Sequence, residues 1–425
     1  MKKNKTLSQL SWQEIKIFLI IILVSICGML GIDLHLASMP SIMQYMHASK
    51  TQIQASVPLY VLGMGMSLFF YGPLSDKHGR KPIVIFGLAL ASTAAFLSIF
   101  TQHIDYFLFT RFLQGCGVGV CLGVAKTITA DVMQGEKLAM VSSYFSIIPC
   151  LSPLFAPAIG GYIQAWFGWQ ANFLLLALCL LFALLIYTLF CPETNQNKNP
   201  QAMKIHSLAT NYSSLLKKPL FLGCILLTGI GMGAITAYAS LSAVIFEMQL
   251  HLSTVLFGWI ATMIAIGTII GKLCGPFFIH RFGSMKTLLM GIYLLLFSGI
   301  FIVIMICLHI FAASLTALFI GLTFLGQTFI SANANSQALS LTQSKRGSAG
   351  ALYGGTQMLI AYICSAFINN FTFSALDLLA LSYVILGLLG LLGYYTLIAS
   401  QPIRPIEKLQ FFIHQIGKNK PTSEL

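Results

Sequence analysis

Residues 72–81 read Gly72-Pro73-Leu74-Ser75-Asp76-Lys77-His78-Gly79-Arg80-Lys81, a polar stretch between two apolar runs. A reduced copy lies far downstream: Gly275-Pro276, then His280-Arg281-Phe282-Gly283 and Lys286. The Gly-Pro pairs are 203 residues apart and the later glycines 204, so one residue has been inserted. Each stretch follows the second long apolar run of its half of the chain, which predicts two halves of one topology. Chance likeness between two Gly-Pro loops is the competing explanation, and the matched spacing counts against it.

The flanking runs are of membrane length. The 425 residues are 57% hydrophobic and 8% charged, with a mean hydropathy of +0.84, whereas a soluble domain is about 25% charged. That composition excludes a soluble enzyme. Barrel strands would alternate apolar and polar residues over roughly ten positions, but continuous runs such as Ile17 to Ile32 dominate here. Apolar runs predict spans at 17–38, 53–71, 82–101, 106–130, 139–163, 169–190, 220–246, 255–279, 287–307, 310–333, 348–370 and 376–398. The expected fold is an all-α polytopic membrane protein, with twelve transmembrane helices in two six-helix pseudo-repeats. Lys2, Lys3 and Lys5 precede the first run in the manner of a signal peptide. That run is too long and lacks an Ala-x-Ala site, so it reads as a retained span.

The widest polar gap follows the sixth run and holds Pro192, Asn195, Asn197, Asn199 and Pro200, then Lys198, Lys204, Lys217 and Lys218. Such breaker-rich composition reads as a linker. It divides the chain into an N-terminal half at 1–190, a linker at 191–219, a C-terminal half at 220–400 and a tail at 401–425. Of the 24 Lys and Arg residues, 20 fall on one side of the predicted spans and only Lys50 on the other. The excess of basic residues marks the cytoplasmic side, so both termini, the linker and the tail are expected there, with the chain multi-pass in a bacterial inner membrane. The net charge of +13 is scattered between apolar runs rather than gathered on an aromatic-lined surface, so no nucleic-acid partner is expected. The ten cysteines lie in or at the ends of apolar runs and read as small hydrophobes. Cys116 and Cys121 lack histidine partners at metal-ligand spacing, so no metal is expected.

Asp33 is the anomalous acidic residue. If the first span ends near Ser38, Asp33 lies about 7 Å inside it at ~1.5 Å per residue. A carboxylate facing lipid at that depth is costly, so it must face the bundle interior, water or a cation. Arg111 is the expected partner, because it lies about five residues into the fourth span and so at similar depth. A movable arginine and an incoming cation could shift Asp33 between its protonated and ionised forms, which would make a proton switch. A static ion pair joining two helices is the alternative. His35 reads as an interfacial histidine more readily than as a relay. Lys126 and Asp131, near the inner end of span four, read as structural at least as readily as parts of the transport path, while Glu247 and Asp377 fall in outer loops with no role assigned.

Span five carries Pro149, Pro153 and Pro157, then Gly160 and Gly161. Prolines at intervals of four remove hydrogen bonds along one face, and Ser152, Ala156, Gly160 and Gly161 allow close approach of a neighbour. A gate-like hinge is expected, with a merely kinked helix as the alternative. In the stretch from Gly72 to Lys81, Gly72 and Gly79 are expected to turn the chain. Asp76 with Arg80 and Lys81 could latch the cytoplasmic face. Asn333, in span ten, is a candidate either for a hydrogen bond across helices or for a cargo contact lining a cavity. No phosphate-cradling Gly-x4-Gly-Lys-Ser/Thr loop occurs, so neither ATP nor another cofactor is expected.

Taken together these motifs resemble the major facilitator superfamily, and within it the bicyclomycin- and chloramphenicol-resistance type of bacterial drug:proton antiporters. Residues 72–81 are similar to its loop motif between helices two and three, and Arg111-Phe112-Leu113-Gln114-Gly115 to its helix-four motif. Ala156-Pro157-Ala158-Ile159-Gly160-Gly161 resembles the helix-five antiporter motif with Ala156 in place of glycine. Residues 33–40, from Asp33 to Pro40, resemble the acidic element of helix one, with His35 where tyrosine is usual. Gln170 stands where an arginine is common. The resemblance implies alternating access, with Asp33 as the coupling carboxylate and Arg111 as its modulator. The expected activity is proton-coupled export of amphipathic drugs or toxic small molecules by a functional monomer, not an enzyme. The alternative is a dedicated carrier of an endogenous metabolite such as a siderophore, nucleoside or sugar, in one version an importer.

Overall fold

The computed structural model describes residues 10–145, 148–196, 198–200, 205–341 and 346–399. The expected tail at 401–425 lies outside the described residues. Within them run α1 (Trp12–Asp33), α2 (Ser56–His78), α3 (Arg80–Ser98), α4 (Ile104–Val132), α5 (Ile148–Phe167) and α6 (Trp169–Phe190). Then come α7 (Pro219–Ala243), α8 (Thr254–Phe282), α9 (Ser284–Cys307), α10 (Ala313–Ser340), α11 (Arg346–Ile368) and α12 (Ala375–Gly393). Eleven helices among the described residues are long and apolar enough to cross a membrane. The remaining predicted span, 139–163, is described as a short helix Gly135–Phe145 and then α5. Large apolar side chains such as Phe70, Phe86, Phe182, Leu273 and Phe367 are more than half exposed. Hydrocarbon is the solvent that makes this cheap, and a helix is what satisfies the backbone there.

Local chemistry sets the helix ends. Ser11 and Glu14 form a reciprocal capping box at α1, while Ser253 caps α8 and Ser374 caps α12. Asp377, expected in a loop, lies instead in the first turn of α12, where its charge suits the helix dipole. Glu247, also expected in a loop, lies in a π-helical extension of α7, Val244–Gln249.

The stretch 72–81 is not a loop. α2 runs on to His78, and Gly79 alone, at φ 108°, breaks it before α3 begins at Arg80. The second copy behaves alike, with Gly283 at φ 87° between α8 and α9. Only glycine enters that backbone region freely. Gly72 stays helical, and Pro73 is accommodated inside α2. Proline has no N–H for the carbonyl four residues earlier, that of Phe69. Tyr212, on the linker helix Ile205–Leu216, donates its hydroxyl to that carbonyl at 3.4 Å.

Within the first six helices α4 packs on α1, α2 and α3, and α1 also packs on α5 and α6. Among the last six, α10 packs on α7, α8 and α9, and α12 on α7 and α9. The two groups meet along α2 with α11 and along α5 with α8. At the end away from the basic loops they close further. There the turn Leu36–Ser38 packs on α7 and α8, the short helix Met39–Tyr45 packs on Val244–Gln249, and Trp259 Nε1 donates to the Tyr162 hydroxyl at 3.2 Å.

Candidate functional site

Asp33 is the last residue of α1. After a turn at residues 34–35 and a short helical turn Leu36–Ser38, the chain continues as the short helix Met39–Tyr45. It lines a cavity of about 50 Å³ between the two helix groups, with Pro153 and Pro157 on its own side and Thr236, Tyr238 and Phe324 on the other. Drug-sized ligands occupy sites of about 300–1,000 Å³, so a cargo enters only if the groups part.

α5 holds the carboxylate. Ser152 Oγ donates to Asp33 Oδ2 at 2.8 Å. Ser152, Ala156 and Gly160 recur every four residues, so they share the face turned to α1. A Cβ on Gly160 would strike the Leu34 carbonyl, and one on Gly161 would strike the Thr254 carbonyl of α8. Asn172 Nδ2 ties this corner together by donating to Ser38 Oγ at 2.7 Å and to the Gly160 carbonyl at 3.1 Å. Pro153 and Pro157 leave α5 an unbroken helix from Ile148 to Phe167 and present their rings to the cavity.

Arg111 does not pair with Asp33. Fully buried, it donates to the Gly31 carbonyl at 2.8 Å and to Gln114 Oε1, and lies 3.4 Å from His35 Nδ1. Its guanidinium lies 4.5 Å over the Tyr60 ring. Ser98 accepts from Gln114 Nε2 at 2.8 Å and so fixes the amide that receives Arg111. The expected shared depth is present, but the facing is wrong: residues 31 and 35 lie about 200° around the helix from residue 33, at 3.6 residues per turn. His35 is buried rather than interfacial. With Arg111 donating to Nδ1, its Nε2–H is the donor to Ser56 Oγ, 3.3 Å away.

At the basic end Arg80 bonds Asp76 and Ser75 through Nη1 and Asp131 through Nε at 2.9 Å. The expected latch pair is therefore joined by Asp131 of α4. Glu193, which no sequence pattern singled out, accepts from the backbone N–H of Arg80 at 2.9 Å and Lys81 at 3.0 Å. It thereby caps the start of α3 from 112 residues away, where orphan donors and the helix dipole favour an anion. Burial pushes its carboxyl up, but the N–H groups of Asn195, Arg80, Lys81 and Thr194 outweigh this and hold it below the usual carboxylate range. Asn195 Nδ2 donates back to the Ser75 and Asp76 carbonyls at 3.2 Å.

In the second copy the contact made by the residue after the glycine is uncharged. Ser284, the residue after Gly283, donates to Asn333 Oδ1 at 2.8 Å, and Asn333 Nδ2 donates to the Phe329 carbonyl at 2.7 Å. Asn333 thus holds α9 to α10 at the basic end, as the interhelical alternative anticipates, and is not among the residues lining the cavity. The carbon-copy position of Arg80 carries serine, so the charge that would have needed an acid is absent.

A model of the Major Facilitator Superfamily matches residues 21–366. The chain belongs to this superfamily. Multidrug resistance protein MdtL of Shewanella oneidensis is 28% identical over 381 residues, covering 88% of this chain and 92% of that one. The bicyclomycin resistance protein homolog of Haemophilus influenzae is 24% identical over 390 residues, covering 91% and 97%. A structure of the xylose transporter XylE of E. coli, in a partially occluded inward open conformation, aligns with TM-score 0.73 and 13% identity over 92% of this chain. That likeness establishes the superfamily fold. The protein is a multi-pass membrane protein of a transporter superfamily acting on small molecules, and its relatives are transporters rather than enzymes. The relatives' names favour drug efflux over the metabolite-carrier alternative.

Proposed function

We propose that this superfamily member exports amphipathic drugs or other toxic small molecules across a bacterial inner membrane in exchange for protons. Asp33 carries the reading: among the described residues it is the one acidic side chain lining the cavity between the helix groups. Proton and cargo then compete for one carboxylate. A proton taken from the outer side neutralises Asp33 and releases the cargo. Loss of that proton to the cytoplasm restores an anion that Ser152 stabilises and a new cargo can bind. Cargo and proton favour different conformations, so each biases the equilibrium between them. One charge moved through 100 mV is worth about 2.3 kcal/mol, roughly a fifty-fold concentration ratio at ~1.4 kcal/mol per decade.

In this reading the basic end is cytoplasmic, with both termini, the 191–219 linker and the 401–425 tail. The 1–190 and 220–400 halves rock about Asp33, and one chain suffices. Gly72, Asp76, Gly79 and Arg80 form the cytoplasmic latch, here extended by Asp131 and Glu193. Pro153, Pro157, Gly160 and Gly161 place the gate helix α5, and Arg111 acts by positioning α1. Proteoliposomes test it: an imposed pH gradient should drive drug uptake by the wild type, and Asp33→Asn, which stands in for the protonated carboxyl, should bind drug more weakly and lose the gradient's effect. Normal proton-driven exchange by Asp33→Asn would overturn the assignment.

A further inference from the structure

The side chains of the cavity have three polar groups, and two are already bonded. Ser152 donates to Asp33, and Thr236 Oγ1 donates to the Met232 carbonyl at 2.9 Å on its own helix. The third is Tyr238. It is 4% exposed, and its hydroxyl has no hydrogen-bond partner among the described residues. Phe324 stands edge-on to its ring, with centroids 5.4 Å apart and planes at 87°. Native structures keep few buried polar groups unpaired, and a phenylalanine would fill the same volume without one.

We infer that Tyr238 is a cargo-binding residue whose hydroxyl donates to an oxygen acceptor on the transported molecule. This rests on the exporter reading above and narrows its cargo. Asp33 takes the cargo's donor or positive group from the first six helices, and Tyr238 takes its acceptor from the last six. The favoured class is an amphipathic molecule carrying both. Because the two contacts stand on different helix groups, a cargo that makes both is gripped only when the groups are together, which links recognition to closure.

The test compares two probes binding to the full chain in detergent. Chloramphenicol carries hydroxyl, amide and nitro oxygens, whereas tetraphenylphosphonium carries charge and no hydrogen-bonding atom. Tyr238→Phe should weaken chloramphenicol binding about three- to ten-fold, the range for one neutral hydrogen bond, and leave tetraphenylphosphonium within about two-fold. Tyr383→Phe, which removes another buried hydroxyl, one that does not line the cavity, should change neither. Equal losses for both probes, unchanged chloramphenicol binding, or the same loss in Tyr383→Phe would overturn the inference. In those cases, proton-driven exchange that still depends on Asp33 leaves the exporter reading standing. A wild type that takes up neither probe under a pH gradient overturns both.

Discussion

Arg111 Nη2 donates to the Gly31 carbonyl at 2.8 Å, two residues before Asp33, while the carboxylate turns the other way to Ser152. The arginine therefore anchors the rear face of α1 to α4, with Tyr60 beneath its guanidinium and Gln114 and His35 beside it. Any influence it has on the carboxylate passes through the position of α1.

Arg111→Lys should accordingly behave first as a packing and bonding lesion. Lysine keeps the charge but cannot serve two acceptors in a plane or stack on Tyr60. The expected loss is on the order of 1.5–3 kcal/mol, the worth of a charged hydrogen bond, read as a lowered apparent Tm in detergent. The pH midpoint of exchange by the molecules that remain folded should stay put. A shifted midpoint at unchanged Tm would mean that Arg111 acts on Asp33 directly.

How far the sequence discloses this site follows from what hydrophobicity encodes. Run lengths give depth, so Asp33 and Arg111 were legible as level with each other. They do not give direction around the helix. In a bilayer the lipid face and the packed face are both apolar, so the periodicity that orients a helix in water is weak. The repeated glycines revealed the breaks at Gly79 and Gly283, though not that helix continues up to each. Glu193 was illegible because its partners are 112 and 113 residues away and its polar surroundings are those of any linker. Ser152 was noticed for its size, and nothing local announced its bond to Asp33.

The two glycine breaks should differ in tolerance. Gly79→Ala and Gly283→Ala both force a side chain into positive φ, costing roughly 1–2 kcal/mol each. At Gly283 the new Cβ meets open space, whereas at Gly79 it meets the Glu193 carboxylate. Gly79→Ala should therefore lower the apparent Tm more, and adding Glu193→Ala to it should recover part of the difference. Equal shifts for the two alanines would show that the Glu193 contact is not close.

Asn333→Ala tests the placement of a residue that sequence alone offered as a helix tie or a cargo contact. Its two bonds hold Ser284 and the Phe329 carbonyl, and its loss deprives the part-buried Ser284 hydroxyl of its acceptor, at a cost of about 0.5–1.5 kcal/mol. Stability should fall while the relative affinities for a panel of drugs stay in the same order. A reordered panel would return Asn333 to the cargo path.

The cap that Glu193 places on α3 should respond to pH only under strongly acid conditions. Its carboxyl is held below the ordinary 4.5, because the backbone N–H bonds that favour the anion outweigh burial. A depressed folded pKa contributes stability that is fully present above the unfolded value, and that stability is lost as pH falls through the folded one. From neutral pH down to the ordinary carboxylate range the attachment of the linker to Arg80 and Lys81 should therefore be constant, and it should loosen only as pH falls below that range. Hydrogen exchange at those two amides measures this directly. Glu193→Ala should raise their exchange at neutral pH, by an amount near the lower end of the 0.5–2 kcal/mol known for caps, since the side chain is exposed. Glu193→Gln should fall between the two, because its amide oxygen still accepts but carries no charge for the helix dipole. Exchange in the wild type that quickened already between pH 6 and 5 would mean that another group governs this end of the molecule.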